Sequence, residues 1–359
     1  PPVFELDLVG VPVDSLFVRP FVTTIGGDTV YGNQIAIANE DPNRNHIYNF
    51  STESGNFSPE NYTITTTSEI TFQNIITLNN LNWEYGSPNY SNIVVVNFPS
   101  LDRINDELKL YYEYSLREFN APKLREIGDK IEIQNNNLEK FLLPKLESIR
   151  RGGFIRFNEN LNELNLESYK GGNFSTDCRI EISGNNSLLT LNLENFYTTR
   201  SGNGYTGFLR INENHSLKTI NFDTNLDLES SIEIYNNQSL EEINFTSLTN
   251  VNTGYININE PNLKKINFNS LVSSRSSKEF SYWSEPYIFI YQNTLLEEIN
   301  MPILEDFYKI SIENNESLPE IIFSELATVH KNITIRNNVN LSKIHMPKLE
   351  TTGGKVYNS

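Results

Sequence analysis

The chain has one cysteine, two methionines, two tryptophans and four histidines in 359 residues. A single thiol, Cys178, cannot close a disulfide within the chain or build a cysteine metal site, and it reads as a small buried hydrophobe. No apolar stretch approaches the ~20 residues of a membrane-spanning helix, so no direct span is expected. Positive charge is scarce: 28 Lys and Arg stand against 45 Asp and Glu, for a formal net charge of −17. That balance repels phosphate backbones and anionic headgroups, and no basic cluster offsets it, so nucleic acid is not an expected partner. Pro1 opens the chain without a charged segment or a hydrophobic signal core. Richness in Asn, Ser and Thr with little Ala, Met and His suits an exported protein. The expected location is extracellular or at the cell surface, held there by lipid or by a partner through residues outside these 359.

What the chain does have is an internal repeat. After about residue 108 a phrase recurs: I-x-I-x-x-N, then L-x-x-I-N-F, then often P-x-L-x-x-I. It is seen at Ile131–Ile133 with Leu138, Ile180–Ile182 with Leu188, Ile232–Ile234 with Leu240, Ile310–Ile312 with Leu318, and Ile333–Ile335 with Leu341. Variants begin at Leu108, Ile155, Leu209, Ile256 and Ile288. Most starts lie about 23 residues apart, the length of one solenoid turn. Each half-phrase alternates apolar and polar residues, which is strand periodicity, and none has helical spacing. One such turn cannot bury its own apolar residues, whereas stacked turns place Ile on Ile and Leu on Leu in a continuous core. The prediction is an all-β solenoid of parallel, in-register strands.

In-register stacking makes residues of equal phase neighbours about 4.8 Å apart. The outward residue of the first strand is read as the column Lys109, Glu132, Arg156, Glu181, Arg210, Glu233, Asn257, Phe289, Ser311, Thr334, whose first six members alternate in sign. A stacked ladder favours such alternation by removing like-charge neighbours. A second column is Asn136, Asn160, Asn185, Asn214, Asn237, Asn293, Asn315 and Asn338, interrupted by Pro261. It reads as a turn-supporting amide ladder. A third, Asn165, Asn192, Asn221, Asn244, Asn267 and Asn300, should face outward from the second strand and stack in the same way.

The longer phrase L-x-x-I-x-φ-P-x-L-x-x-I-x-G-x-I-x-I-x-N-N, found from Leu138 to Ile155 and again near Leu341 to Gly354, resembles the receptor L-domain family of leucine-rich repeats. That family includes the ligand-binding L domains of insulin- and epidermal-growth-factor-type receptors and related repeats of microbial surface proteins. The resemblance covers about 250 of the 359 residues. It implies a right-handed solenoid and a binding, adhesion or scaffolding role outside the cell, and it carries no functional residue across. The cysteine-rich modules of the animal receptors are missing, which favours the microbial surface type, associated with an outer membrane or envelope complex.

Residues 1–60 carry no repeat and read as an N-terminal cap, arm or small β region; 61–359 form the solenoid, with degenerate turns at 61–107 and regular ones from 108. Gly353-Gly354 repeats Gly152-Gly153 close to Ser359, so the last strand edge is expected to pair with another chain or with sequence further on. Three excursions, Glu167 to Arg179, Glu194 to Phe208 and Val272 to Tyr287, fall at one phase and should project from one side. In the third, Phe280, Tyr282, Trp283 and Tyr287 lie beside outward Phe289 and, by register, near Tyr255 and Tyr291. These seven residues are the candidate binding patch, either an exposed aromatic surface or a satellite core.

Catalytic and metal patterns are weak. The histidines His46, His215, His330 and His345 fall in unrelated phases, and no zincin, nucleophile-elbow or P-loop motif is present. Asp41-x-Asn43-x-Asn45 starts like a calcium loop, but His46 replaces the turn glycine and Thr52 the bidentate Glu. Sequons at Asn56, Asn61, Asn237 and Asn244 read as products of Asn richness. Glu297-Glu298 is the best carboxylate pair for a glycan-cleaving enzyme, yet Glu241-Glu242 repeats its phase without a neighbouring loop. The reading is therefore a non-catalytic scaffold that binds a protein and needs no cofactor. The alternatives are a glycan-binding adhesin and a β-helix polysaccharide lyase or glycosidase.

Overall fold

The computed structural model describes residues 69–354, except for 74, 85–92, 113, 171–178, 194, 197–206, 223–226, 229 and 275–284. It also describes the strands Ser15–Val18, Phe21–Thr23, Thr29–Tyr31, Ile35–Ala38, His46–Asn49, Asn56–Phe57 and Val356–Asn358. Among these residues every regular element is a strand. Ser15–Val18 pairs antiparallel with Ile35–Ala38, and Phe21–Thr23 with Thr29–Tyr31. Parallel pairing begins where His46–Asn49 meets Glu69–Gln73 and Asn56–Phe57 meets Asn80–Glu84.

From there the chain coils as a solenoid with one long 13-stranded sheet. Each I-x-I half-phrase supplies a strand of it, and every neighbouring pair is parallel, as in Leu108–Tyr111 beside Lys130–Gln134 or Gly207–Asn212 beside Ser230–Tyr235. Alternation sends Leu108, Ile131, Leu209, Ile232, Ile256 and their phase-mates inward, where they are fully or almost fully buried. A second wall comes from the L-x-x-I-N-F phrases. Its inward rings form a stack in which Phe222, Phe245 and Phe268 follow one another at 4.6 and 4.7 Å with planes 5° and 2° apart. In-register repetition thus turns one apolar position into a continuous aromatic column.

The second wall is divided where the long sheet is not. It comprises a six-stranded sheet ending at Glu163–Asn165, a five-stranded sheet from Thr190–Asn192 to Glu298–Asn300, and a two-stranded sheet of Glu320–Ile322 and Lys343–His345. In regular turns the N–H just after the wall's Leu donates to the preceding turn, as Lys264 does to Glu241 O at 2.9 Å and Glu297 to Lys264 O at 2.9 Å. At the second division that position is Pro319, which has no N–H to give. The first division follows the turn that carries the first excursion.

Two columns differ from the sequence reading. The Gly152–Arg156 strand pairs Ile155 with Ile133 and Ile182, so Gly153 takes the first inward place and Phe154, not Arg156, stands between Glu132 and Glu181. The sign alternation is broken there, although Lys109–Glu132 and Arg210–Glu233 remain ion pairs at 3.8 and 2.8 Å. For the same reason the buried ladder contains Asn158, and exposed Asn160 lies outside it. In that ladder each Asn accepts from the backbone N–H and Nδ2 of the Asn one turn earlier: Asn185 donates to Asn214 Oδ1 at 3.0 and 3.2 Å, and Asn214 to Asn237 Oδ1 at 3.0 and 3.1 Å. Its own Nδ2 also donates to an earlier Ile carbonyl, such as Asn214 to Ile182 O at 2.9 Å. The residue before most ladder members takes the left-handed conformation, with φ of 55° at Asn135 and 57° at Asn314. After Ile258 that residue is missing, and buried Glu260, not Pro261, occupies the ladder place.

Candidate functional site

The outward positions of the long sheet form three columns, and their aromatic residues gather in the later turns. Tyr255 and Tyr287 are direct register partners, with rings stacked at 4.9 Å and 15°. Ser231, small and in the same column, leaves room for Phe208 to meet Tyr255 edge-on at 6.4 Å. The far face of Tyr287 is approached by Lys309 Nζ at 5.4 Å from the ring centroid. Phe208 lies between the guanidinium carbons of Arg179 and Arg210, at 5.3 and 5.0 Å. Phe289 and Tyr291, alternate residues of one strand, stack at 4.3 Å.

Polar bonds fix this aromatic surface. Tyr255 Oη donates to Glu233 Oε1 at 2.6 Å, while Arg210 Nη2 donates to Glu233 Oε2 at 2.8 Å. Burial, and then the adjacent Glu233 carboxylate, pushes the Tyr255 phenol above its ordinary range. Of the seven expected patch residues, the structure brings Tyr255, Tyr287, Phe289 and Tyr291 to one face, each half-buried. Phe280, Tyr282, Trp283 and Cys178 lie outside the described residues.

A second aromatic cluster on the same sheet was not expected. Phe154 stacks under Tyr111 at 6.3 Å with planes 3° apart, and the Arg156 guanidinium lies 3.9 Å from the Phe154 ring centroid. Tyr112, at 6.2 Å from Tyr111, and Phe157, at 5.7 Å from the Arg156 guanidinium carbon, are each 41% exposed, and Tyr114, two residues on from Tyr112, is 55% exposed. The signal existed in the aromatic run Tyr111-Tyr112-x-Tyr114 and in Phe154-x-Arg156-Phe157, but placing Arg156 one outward column away from its true position hid the contact.

Of the expected pair Glu297-Glu298, Glu298 is ion-paired, as is Glu241 at the same phase. Lys264 binds Glu241 at 2.8 Å and Lys265 binds Glu298 at 3.1 Å, and Asn300 Nδ2 donates to Glu298 at 2.7 Å. These partners hold Glu241 and Glu298 below the usual carboxylate range, which is the wrong direction for a general acid. A surface cleft of about 320 Å³ does open between Asn300 and Ile322, at the break left by Pro319. Glu260 is the carboxyl group pushed upward, to about 8, because it is buried without a cation, and two Asn237 donors offset only part of that. It faces the ladder interior, away from any substrate. Among the described residues no group of three His, Cys, Asp or Glu is placed to hold a metal ion. No helix among them is long and apolar enough to cross a membrane. The sequon residue Asn237 is fully buried in the ladder and Asn244 bonds within the outer one, so neither amide is free for a glycan. Asn56 and Asn61 have no described side chains.

No protein-family model matches the chain, and no curated protein matches it. The crystal structure of a leucine-rich repeat protein from Bacteroides ovatus ATCC 8483 is similar, with a TM-score of 0.34 and 14% sequence identity over 97% of this chain and 90% of that one. The stacked parallel strands, the turn length and the inward Leu and Ile columns make this chain a parallel β-solenoid.

Proposed function

We propose that the chain is a non-catalytic, secreted or cell-surface scaffold that engages another protein through the outward face of its long sheet. The antiparallel strands before His46 serve as its N-terminal cap. The observation that carries the binding reading is how the rings are arranged. Tyr255 is covered on one face by Tyr287 and met on the other by Phe208, and Tyr287 is covered by Tyr255 and Lys309. A sugar ring stacks on a free aromatic face, whereas these residues offer edges, hydroxyls and guanidinium groups held rigidly on a sheet. That is the composition of a protein hot spot. Stacked repeats also give the long, stiff surface that repeat proteins use for partners.

Photocrosslinking tests this. A benzoylphenylalanine is placed at Tyr291 or, as a control, at Glu320 on the second wall, and exposed to the envelope fraction of the source cells. The expected result is one protein crosslinked from position 291, absent from 320, and lost when Tyr287→Ala is added. Equal labelling from both positions removes the reading. A glycan-array signal abolished by Tyr291→Ala replaces it with the adhesin alternative.

A further inference from the structure

We infer that the earlier half of the same face is a docking site for a carboxylate on an acidic segment of a partner protein, centred on Arg156. The inference rests on the protein-binding reading and adds the partner's chemistry. It starts from the arginines. Of the nine in the described residues, seven are ion-paired: Arg103 with Glu126, Arg117 with Glu139, Arg125 with Asp102, Arg151 with Asp129, Arg179 with Glu181, Arg210 with Glu233 and Arg336 with Glu313. Arg150, exposed in a turn, and Arg156, in the sheet, have no carboxylate. In a chain of net charge −17, that is an unusual omission.

Arg156 is nevertheless held in place. Its Nε donates to Gln134 Oε1 at 2.8 Å, and its guanidinium carbon lies 3.9 Å from the Phe154 ring centroid and 5.7 Å from that of Phe157. The neighbouring carboxylates are engaged: Glu132 accepts from Tyr111 Oη at 2.5 Å, and Glu181 binds Arg179 at 2.9 Å and Ser183 Oγ at 3.0 Å. The two terminal nitrogens of Arg156 are therefore left to a ligand, in the fork geometry that matches a carboxylate. Near them are the exposed ring of Phe157 and, beside Tyr111 at 6.2 Å, that of Tyr112. Phe157 is seated across Gly184, where an added Cβ would lie 2.5 Å from the ring. A pre-ordered cation with exposed aromatic rings beside it, on a surface that otherwise repels anions, selects a segment that pairs an acidic residue with an apolar one. A uronate-bearing glycan has the charge but gains less stacking, because Tyr111 and the Arg156 guanidinium already lie against the Phe154 ring.

The experiment is selection of a random twelve-residue phage-displayed peptide library on the full chain and on Arg156→Glu. Peptides kept by the first and not the second should carry an Asp or Glu beside an aromatic or aliphatic residue. A synthetic peptide of that consensus should bind Arg156→Ala about 10- to 100-fold more weakly, with Arg156→Lys in between. A consensus without an acid, or binding indifferent to Arg156, overturns the inference. If such acid-free peptides are still lost on Tyr287→Ala, the protein-binding reading stands without this site. Hyaluronan or alginate oligosaccharides that bind with the same Arg156 dependence while no peptide is enriched assign the site to glycan and overturn both.

Discussion

Two asparagine ladders climb this solenoid, one buried behind the long sheet and one on the outer surface of the second wall. Both repeat at the same spacing and use the same amide. In the outer ladder each Asn bonds side chains alone: Asn221 donates to Asn192 at 2.8 Å, Asn244 to Asn221 at 3.1 Å, Asn267 to Asn244 at 2.6 Å and Asn300 to Asn267 at 2.8 Å, with Glu242 and Glu298 also accepting from Asn267 and Asn300. In the buried ladder each Asn also satisfies a backbone N–H and an Ile carbonyl that have no water to turn to. The wall behind the buried ladder runs unbroken among the described residues, while the wall under the outer one divides twice. The lesson concerns location: an amide in a dry turn supports three turns at once, and the same amide on a partly solvated wall, bonded only to side chains, supplies a more replaceable contact.

The sharpest way to break the comparison is Asn214→Ala. It removes the acceptor of the Asn185 N–H and the amide donor to the Ile182 carbonyl, and takes one of two bonds from Asn185 Nδ2 and from Asn237 Oδ1. At about 1–3 kcal/mol for a buried polar group left unsatisfied, a loss near 4 kcal/mol is expected in urea unfolding. Next in size is the pH response of Glu260. Its folded pKa of about 8 lies above the ordinary 4.5, so the folded state holds a proton that the unfolded chain gives up. Its contribution to stability is full below about 4.5 and is lost as pH rises through about 8. Glu260→Gln should therefore raise the melting temperature at pH 9 and change it little at pH 4.5. The paired carboxylates Asp102, Glu241 and Glu298 are depressed and favour stability in the opposite direction, so the difference between the two proteins is the quantity to measure. A parallel pH dependence in both removes Glu260 as the cause. Smaller again, Asn244→Ala in the outer ladder should cost no more than about 1 kcal/mol.

The repeat phrase made the strands, the inward columns and both ladders legible, because a period of two fixes which residues face the core. The exact columns were not legible at two places, for local backbone reasons. At Gly153 the strand enters with φ of 136°, and a Cβ would lie 1.8 Å from the Ile131 carbonyl oxygen, so a glycine occupies an inward place where an apolar residue was sought. Starting the count at Ile155 kept Arg156 facing outward but moved it by one outward column. At Glu260 the turn lacks its left-handed residue, and a fixed offset pointed to Pro261. Each slip hid something: the first the pairing of Arg156 with Phe154, the second the buried carboxyl. Of the aromatic patch, the members on strands were legible by register, and Phe280, Tyr282 and Trp283 lie where the repeat phrase is interrupted and periodicity assigns no register.

The least costly change in the comparison is at Pro319, where a missing donor coincides with the second division of the wall under the outer ladder. In the turns before it the corresponding N–H bonds at 2.9 Å from Glu241 to Lys218, Lys264 to Glu241 and Glu297 to Lys264, and in the turn after it Ser342 donates to the Pro319 carbonyl at 2.9 Å. Pro319→Ala supplies the donor and directs it at the Glu297 carbonyl. The gain of about 1 kcal/mol for one hydrogen bond is offset by about 0.4–1 kcal/mol from the freer unfolded chain, so global stability should barely move. The readout is therefore local. Hydrogen exchange at residues 319–322 should slow as the strand joins Glu298–Asn300 and the cleft beside Asn300 narrows. Exchange unchanged by the substitution would mean that the wall is held open by the side chains lining the cleft, Met301 and Ile322 among them, and not by the missing proton.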